Sequence, residues 1–435
     1  MKKGSGVFLL TVGDEILDGR IHNTHGQWFG EQLRVAGIPV AESRSVADRT
    51  PEIARALRDA AGTSPVVIVT GGLGPTNDDR TLEGAASAFK LPLVETKASL
   101  QHIKARYQAR GLPLTPPRLK MALVPKGSKV IANPTGTAPG VHLRTKGADF
   151  FFLPGPPNEC RPMFEKYGLP FPKKALRSRR LLRREFWRTF GRGEGDVYQR
   201  VSATVTALEQ RFPDSVFFGV HINFPYIDLT FEVRESAKGL RPAAKEIEAA
   251  VIDIARALGS LCFSRERESL ADAVAKLLQK ERASVATAES CTGGLLGKML
   301  TDREGSSSYY VGGVVSYANS AKETLLGVPK KILQHDGAVS EACVRAMAEG
   351  VRRKLGADFA LAISGIAGPG GATEAKPVGT TYVALATRVR TRTMHQILLQ
   401  GRATRDQNRI LAAHLALDAL RTELLGFPET GIPVN

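Results

Sequence analysis

The chain has 435 residues, 43% hydrophobic and 24% charged, which suits two or three soluble globular domains. No apolar run approaches the roughly 18 residues a membrane helix requires, and four scattered cysteines without a CxxC pair exclude a zinc knuckle and argue against a disulfide framework. The formal charge of +17 favours anionic ligands: nucleic acid, a membrane surface or phosphorylated metabolites.

The opening MKKGSGVFLLTVGDEIL has a basic start and a short apolar patch, like a secretory leader. The patch runs into Gly13-Asp14-Glu15 without a small-residue cleavage site, so it reads as a first strand, Val7–Val12, of a cytoplasmic protein. Residues 27–36 carry apolar positions at helical spacing and stop at Gly37, and a second helix over 51–61 opens with Pro51. The β-branched run 66–70 then ends in Gly71-Gly72-Leu73-Gly74-Pro75. Strand, crossover helix, parallel strand is the pattern of a doubly wound α/β domain, here residues 1–172.

Within residues 173–192 the chain holds nine basic residues and one acid, with Leu181, Leu182, Phe186 and Phe190 interleaved. This reads as the basic face of a folded element rather than a nucleic-acid arm. Strand-like segments at 216–220 and 227–233 and an amphipathic helix over 243–258 predict a small α+β module, residues 173–262. A third, α/β region covers 263–435. It has a helix over 270–279, a strand over 284–288, a helix from Leu295, strands at 313–317, 359–363 and 381–386, and a last helix beginning at Arg405.

Two loops of the first region, TVGDEILDGRIHNT (11–24) and TGGLGPTNDDRTLEGA (70–85), place glycines and carboxylates where strands end, which is where open α/β sheets bind ligands. Gly13, Asp14, Glu15, Gly71, Gly72, Gly74 and Thr76 are the candidate nucleotide site. Asp78 and Asp79 are hard oxygen ligands suited to Mg²⁺ or another divalent cation such as Mn²⁺. The plainer reading is a helix N-terminus capped by Asp78 or Thr76. The loops NPTGTAPG (133–140) and LPGPPNE (153–159) favour a site.

In the third region AESCTGG (288–294) sets an acid, two hydroxyls and a thiol at a strand end and closes on two glycines. Further on lie GAVSE (337–341) and SGIAGPGGATEAKPVGTTYVAL (364–385). These motifs, with the 288–328 segment through SYANSAKETLLGV, resemble the C-terminal domain of the CinA family, the competence/damage-inducible proteins. The four loops of the first region resemble that family's molybdopterin-binding-type domain. The middle fits the KH-like module found between them.

The resemblance implies that the C-terminal domain is an amidohydrolase releasing ammonia from nicotinamide mononucleotide (NMN), in pyridine nucleotide recycling and without a cofactor. It implies an N-terminal domain that hydrolyses ADP-ribose at its pyrophosphate with a divalent metal, and a homodimer. The family usually has Asp-Thr-Asn where this chain has Asn23-Thr24-His25, and a GIGES-like segment where it has Gly191-Arg192-Gly193-Glu194-Gly195. Losing the carboxylate at 23 argues for weakened metal chemistry.

Amide hydrolysis needs an activated nucleophile and oxyanion donors. Ser290 is the favoured nucleophile, and Cys291, the rival, is expected to pack as a small buried residue. Gly293 and Gly294 allow close approach, with N–H groups expected to face the substrate. The only histidine near these motifs is His335, so Lys322 is the expected base, with lowered pKa, and Tyr317 the expected relay or donor to the leaving ammonia. Glu289 orients Lys322 or caps the helix, and Thr292 is a cap or a contact. Gly365, Gly368, Gly370 and Gly371 form a turn for ribose-phosphate or oxyanion donors, and Lys376 and Arg405 are candidate phosphate contacts. The competing reading is a competence-associated nucleic-acid or nucleotide binding protein without catalysis.

Overall fold

The apolar run Val7–Val12 forms β1, buried at every position because it lies inside a sheet covered on both faces. Its neighbours are β2 (Val40–Val46) and β3 (Val66–Thr70), both parallel to it, followed by β4 (Lys129–Ile131), β5 (Gly140–Thr145) and β6 (Ala148–Leu153) in the order β2-β1-β3-β6-β5-β4. β6 joins β3 in parallel, and β4 and β5 extend the sheet antiparallel. Alternate residues of β1 face opposite ways. Phe8 and Leu10 pack with Ile53 and Leu57 of α2 (Thr50–Thr63), while Val7 and Leu9 pack with Phe29 and Leu33 of α1 (Thr24–Val35). The helix α3 (Thr81–Phe89) shares the α2 face.

The computed structural model describes residues 6–176, 181–236 and 242–426. It divides into two compact units, Met1–Leu182 with Arg234–Leu240, and Arg183–Val233 with Arg241–Asn435. Positions 177–180 of the basic stretch lie outside the described residues. The rest of that stretch includes β7 (Leu181–Thr189), a strand whose cations are paired: Arg183 with Glu185 at 2.8 Å, Arg188 with Asp228 at 2.7 Å. With β8 (Val216–Asn223), β9 (Tyr226–Arg234) and β10 (Cys262–Ser264) it forms a sheet in the order β8-β9-β7-β10, accompanied by α4 (Glu194–Arg211) and α5 (Ala244–Leu258).

The second unit also holds a five-stranded sheet of β11 (Val285–Glu289), β12 (Tyr310–Val315), β13 (Phe359–Gly365), β14 (Thr380–Ala386) and β15 (Thr391–Ile397), ordered β12-β11-β13-β14-β15. β11 is parallel to both neighbours. One face is made of alanines (286, 288, 360, 362, 384 and 386) and lets α9 (Glu341–Leu355) approach closely. The other carries Val285, Leu361, Ile363 and Leu385 against α6 (Leu270–Glu281) and α10 (Arg405–Leu424). The molecule is thus α/β, as expected. The strand expected over 313–317 lies instead at Tyr310–Val315, because Ser316 turns away to start α8 (Asn319–Leu326).

Candidate active site

β11 is buried between two parallel strands, and the Ser290 N–H donates to Ile363 O at 3.0 Å. Ser290 therefore sits at the carboxyl edge of the sheet. Gly293 (φ +60) and Gly294 (φ +96) then turn the chain into the short helix α7 (Leu295–Thr301) in the left-handed region that favours glycine. A Cβ at either position would meet nothing closer than 3.6 Å, so backbone conformation, not crowding, calls for the two glycines. The expectation that their N–H groups face a substrate is overturned. Gly293 N–H donates to Ser290 O at 3.1 Å and Gly294 N–H to Glu289 Oε2 at 3.0 Å.

Glu289, 1% exposed, also accepts from Leu296 N–H at 3.0 Å and Gly297 N–H at 2.8 Å. Of its two expected roles it fills the second, capping α7, and it makes no hydrogen bond to Lys322.

Lys322 comes from the first turn of α8 and is 1% exposed. Its Nζ lies 3.1 Å from Ser290 Oγ, 2.7 Å from Ser316 O and 3.2 Å from Tyr317 O. All three partners are uncharged. Burial lowers its pKa below the ordinary 10.5, opposed by the Cys343 and Cys291 thiols. Cys291 is buried in the core behind the turn, and desolvation pushes its thiol up to about 11. A thiol held protonated is a poor nucleophile.

Tyr317 is 61% exposed. Its hydroxyl accepts from Arg405 Nη2 at 3.1 Å, and Arg405 Nη1 donates to Gly368 O at 2.6 Å, so Arg405 ties the 364–371 loop to the start of α8. Gly368 (φ +85) and Gly371 (φ +86) make this loop's turns. Gly365 packs so closely that a Cβ would lie 2.7 Å from Thr380 O, while Gly370 is in open space. Lys376 Nζ donates to Val339 O at 2.7 Å and Asp336 O at 3.1 Å, fastening its loop to the GAVSE segment. Thr292 is fully buried, and its hydroxyl has no partner among the described residues. His335 ends the helix Lys330–His335 and is exposed.

The structure thus brings Ser290, Lys322, Tyr317 and Arg405 together, and sets Glu289 and Lys376 to fastening the scaffold. The sequence reading missed two residues. Ser316 supplies the shortest contact of Lys322. Arg409 Nη2 donates to Thr292 O at 2.8 Å, and its spacing four residues after Arg405 on one helix was the available signal.

In the first unit a cavity of about 360 Å³ is lined by Gly13, Gly71, Gly72 and Gly74 together with the carboxylates of Glu15, Asp48, Asp78, Asp79 and Glu159. Asp14, beside it, donates its N–H to Asp48 Oδ2 at 2.8 Å and accepts from the Asp48 N–H through Oδ1 at 3.3 Å. Burial raises the Asp48 pKa, opposed by the hydrogen bond from the Asp14 N–H, and the charges of Asp14, Glu15 and Asp78 add to the rise. Neither Thr76 nor Asp78 caps α3, whose N-cap position is Arg80 and has no side-chain cap. The Thr76 hydroxyl hydrogen-bonds Asp78 and Asp79, and that bond holds Asp78 below the usual carboxylate range. Asn23 caps α1 through Gly26 N–H at 2.9 Å, and His25 Nε2 contacts Gly155 O at 2.5 Å. Neither lines the cavity, so the departure at 23 does not remove a carboxylate from it. Among the described residues no three His, Cys, Asp or Glu side chains converge to hold a metal ion. As placed, Asp78 and Asp79 turn to the Thr76 hydroxyl and belong to no three-ligand cluster among the described residues.

Two family descriptions match the sequence: "CinA C-terminal domain" over residues 267–424 and "Probable molybdopterin binding domain" over residues 8–174. A "CinA-like protein" of Myxococcus xanthus (strain DK1622) is 39% identical over 438 residues, covering 98% of this chain and 99% of that protein. A "putative competence-damage inducible protein" of Caldanaerobacter subterraneus subsp. tengcongensis is 37% identical, covering 96% and 98%. The crystal structure of "the protein CinA with unknown function from Thermoplasma acidophilum" is similar at 38% identity over 38% of this chain and 98% of that one, with a TM-score of 0.36.

Proposed function

Because the chain belongs to the CinA family, we propose that its C-terminal domain hydrolyses the carboxamide of NMN to nicotinate mononucleotide and ammonia. The observation that carries this reading is the 3.1 Å approach of a buried lysine to a serine hydroxyl at a sheet edge, with no charged partner for the lysine. In its neutral form the amine accepts the Ser290 proton as Oγ bonds to the carboxamide carbon. The proton then passes to the nitrogen, the C–N bond breaks and ammonia leaves an acyl-serine. Lys322 next takes a proton from water, whose oxygen bonds to the acyl carbon, and returns it to Ser290 Oγ as the ester bond breaks and nicotinate mononucleotide leaves. The Tyr317 hydroxyl, which accepts from Arg405, is the relay by which the one proton from Ser290 reaches the leaving nitrogen, taking a proton from Lys322 as it gives its own. Arg405 is the phosphate contact, while Lys376 holds its loop.

The first unit is proposed to be a nucleotide-binding domain of the ADP-ribose type with weak hydrolysis, since its cavity presents carboxylates and, among the described residues, no three-ligand ion site. Ammonia release from NMN by the whole protein tests the main reading. The net charge of +17 favours a second reading, a binding protein without catalysis. It requires no ammonia and a nucleic-acid affinity that falls steeply with salt.

A further inference from the structure

α10 begins with two arginines one turn apart, Arg405 and Arg409, at the end of the helix where the dipole disfavours cations. They do not serve the helix start, because Thr404 and Gln407 already form its capping box. Residues four apart share a helix face, so the two side chains leave the helix on the same side. Arg405 reaches Tyr317 OH, on the residue whose carbonyl holds Lys322, and Gly368 O. Arg409 reaches Thr292 O, two residues after the nucleophile, and its Nη2 is 3.6 Å from where a Cβ on Gly293 would lie. The pair therefore flanks Ser290 and Lys322 from the two loops that carry them.

Every hydrogen-bond acceptor these two arginines have is uncharged. The Asp406 carboxylate stands 3.6 Å from Arg409 Nη1 and its side chain is 83% exposed, a distance and setting in which pairing is weak. Two planar donor forks whose hydrogen bonds go to uncharged oxygens, beside Ser290 and Lys322, match the geometry of a phosphate.

We propose that Arg405 and Arg409 together seat the phosphomonoester of the substrate and that Arg409 sets the preference for nucleotide over nucleoside. The inference rests on the deamidase reading of this site. It is tested by comparing Arg409→Gln with the unaltered protein on NMN and on nicotinamide riboside, which lacks the phosphate. The expected result is a fall in kcat/KM of about 30-fold or more on the nucleotide, the loss typical when one partner of a charged contact is removed. The fall on the nucleoside is expected to be much smaller, and inhibition by inorganic phosphate weaker. Equal losses on both substrates, which a purely structural role through Thr292 would give, overturn the proposal, as does no loss on either. A calorimetric titration of Ser290→Ala, with and without Arg409→Gln, using NMN and inorganic phosphate reads the seat without turnover. If the unaltered protein releases no ammonia but Arg409→Gln still weakens phosphate binding, the deamidase reading fails and the seat stands. Phosphate binding unchanged by Arg409→Gln removes the seat whatever the chemistry.

Discussion

Lys322 Nζ meets Ser290 Oγ at 3.1 Å across 32 residues of sequence. The serine ends a central strand and the lysine sits in the first turn of a helix, so the approach is fixed by the sheet and not by local chain geometry. With Ser316 O and Tyr317 O as its other partners, the amine is held in place without a counter-ion. That arrangement favours the neutral form, which is the form a base needs.

Replacing the nucleophile separates it from its neighbour. Ser290→Ala is expected to reduce ammonia release from NMN by about 10³-fold or more, with an unfolding midpoint close to that of the parent. Cys291→Ala is expected to keep most turnover, because a buried thiol pushed up to about 11 offers little thiolate at neutral pH. Steady-state rates and thermal melts of the two variants check this. Loss of activity in Cys291→Ala with retention in Ser290→Ala would reverse the assignment.

The lysine imposes a pH dependence. Burial sets its folded pKa below 10.5, so kcat/KM is expected to rise with pH and level off below that value. Stability follows the same group. Between the folded and unfolded pKa values the unfolded chain binds more protons, so stability rises with pH through that window and is lost as pH falls through it. Lys322→Met is expected to abolish turnover and raise stability at neutral pH. A rate profile still climbing beyond pH 10.5, or a destabilised Lys322→Met in urea titrations, would count against a neutral lysine.

Glu289 serves the scaffold through three main-chain donors. Glu289→Ala leaves those N–H groups unsatisfied in a buried site, where each costs about 1–3 kcal/mol. A loss of about 3 kcal/mol or more is expected in chemical unfolding of the second unit, with a smaller loss for Glu289→Gln, which keeps one acceptor oxygen. Equal stability of parent and Glu289→Ala would show that α7 does not depend on this cap.

The strand–turn at 285–294 was legible because the VATA run ends in a glycine pair, a local signal. What the glycine N–H groups do was not, since nothing in sequence marks Glu289 as the acceptor folded back onto them. β2 was missed because VAESRSV carries charges on an edge strand whose residues are mostly half-exposed, and its pairing with β1 is a tertiary matter. The strand in the basic stretch was also hidden. The acids that neutralise Arg184 and Arg188 are Glu232 and Asp228, which lie far along the chain in β9. Tyr317 was placed in a strand by its β-forming neighbours, yet the Ser316 N–H already closes that strand on Glu289 O.

The first-unit cavity presents carboxylates to any ligand, and Asp48 is already pushed up by burial and by the neighbouring acidic charges, against the hydrogen bond from the Asp14 N–H. A diphosphate would meet repulsion there unless a cation intervenes, and the described residues assemble no three-ligand ion site. The whole protein incubated with ADP-ribose is expected to form little AMP, with or without Mg²⁺. Fast Mg²⁺-dependent AMP formation, measured by chromatography, would show that these carboxylates rearrange around an ion.

Acid stability is expected to turn on His414. Its Nδ1 lies 2.8 Å from Ile410 O and its Nε2 2.9 Å from Tyr226 OH, which also accepts from Leu270 N–H at 3.0 Å. Nδ1 therefore carries the proton and Nε2 accepts from the tyrosine, an arrangement that holds only for a neutral ring. Burial lowers the His414 pKa from 6.5 to about 4. A base whose folded pKa is depressed adds stability above its unfolded pKa and loses it as pH falls toward the folded one. Between 6.5 and about 4 the second unit is thus expected to lose about 3 kcal/mol from this ring. His414→Gln should flatten that part of the stability profile, followed by urea unfolding at a series of pH values. Tyr226→Phe should destabilise by about 1–3 kcal/mol at neutral pH, because Leu270 N–H and His414 Nε2 both lose their partner. An unchanged acid slope in His414→Gln would mean that other groups carry the pH dependence.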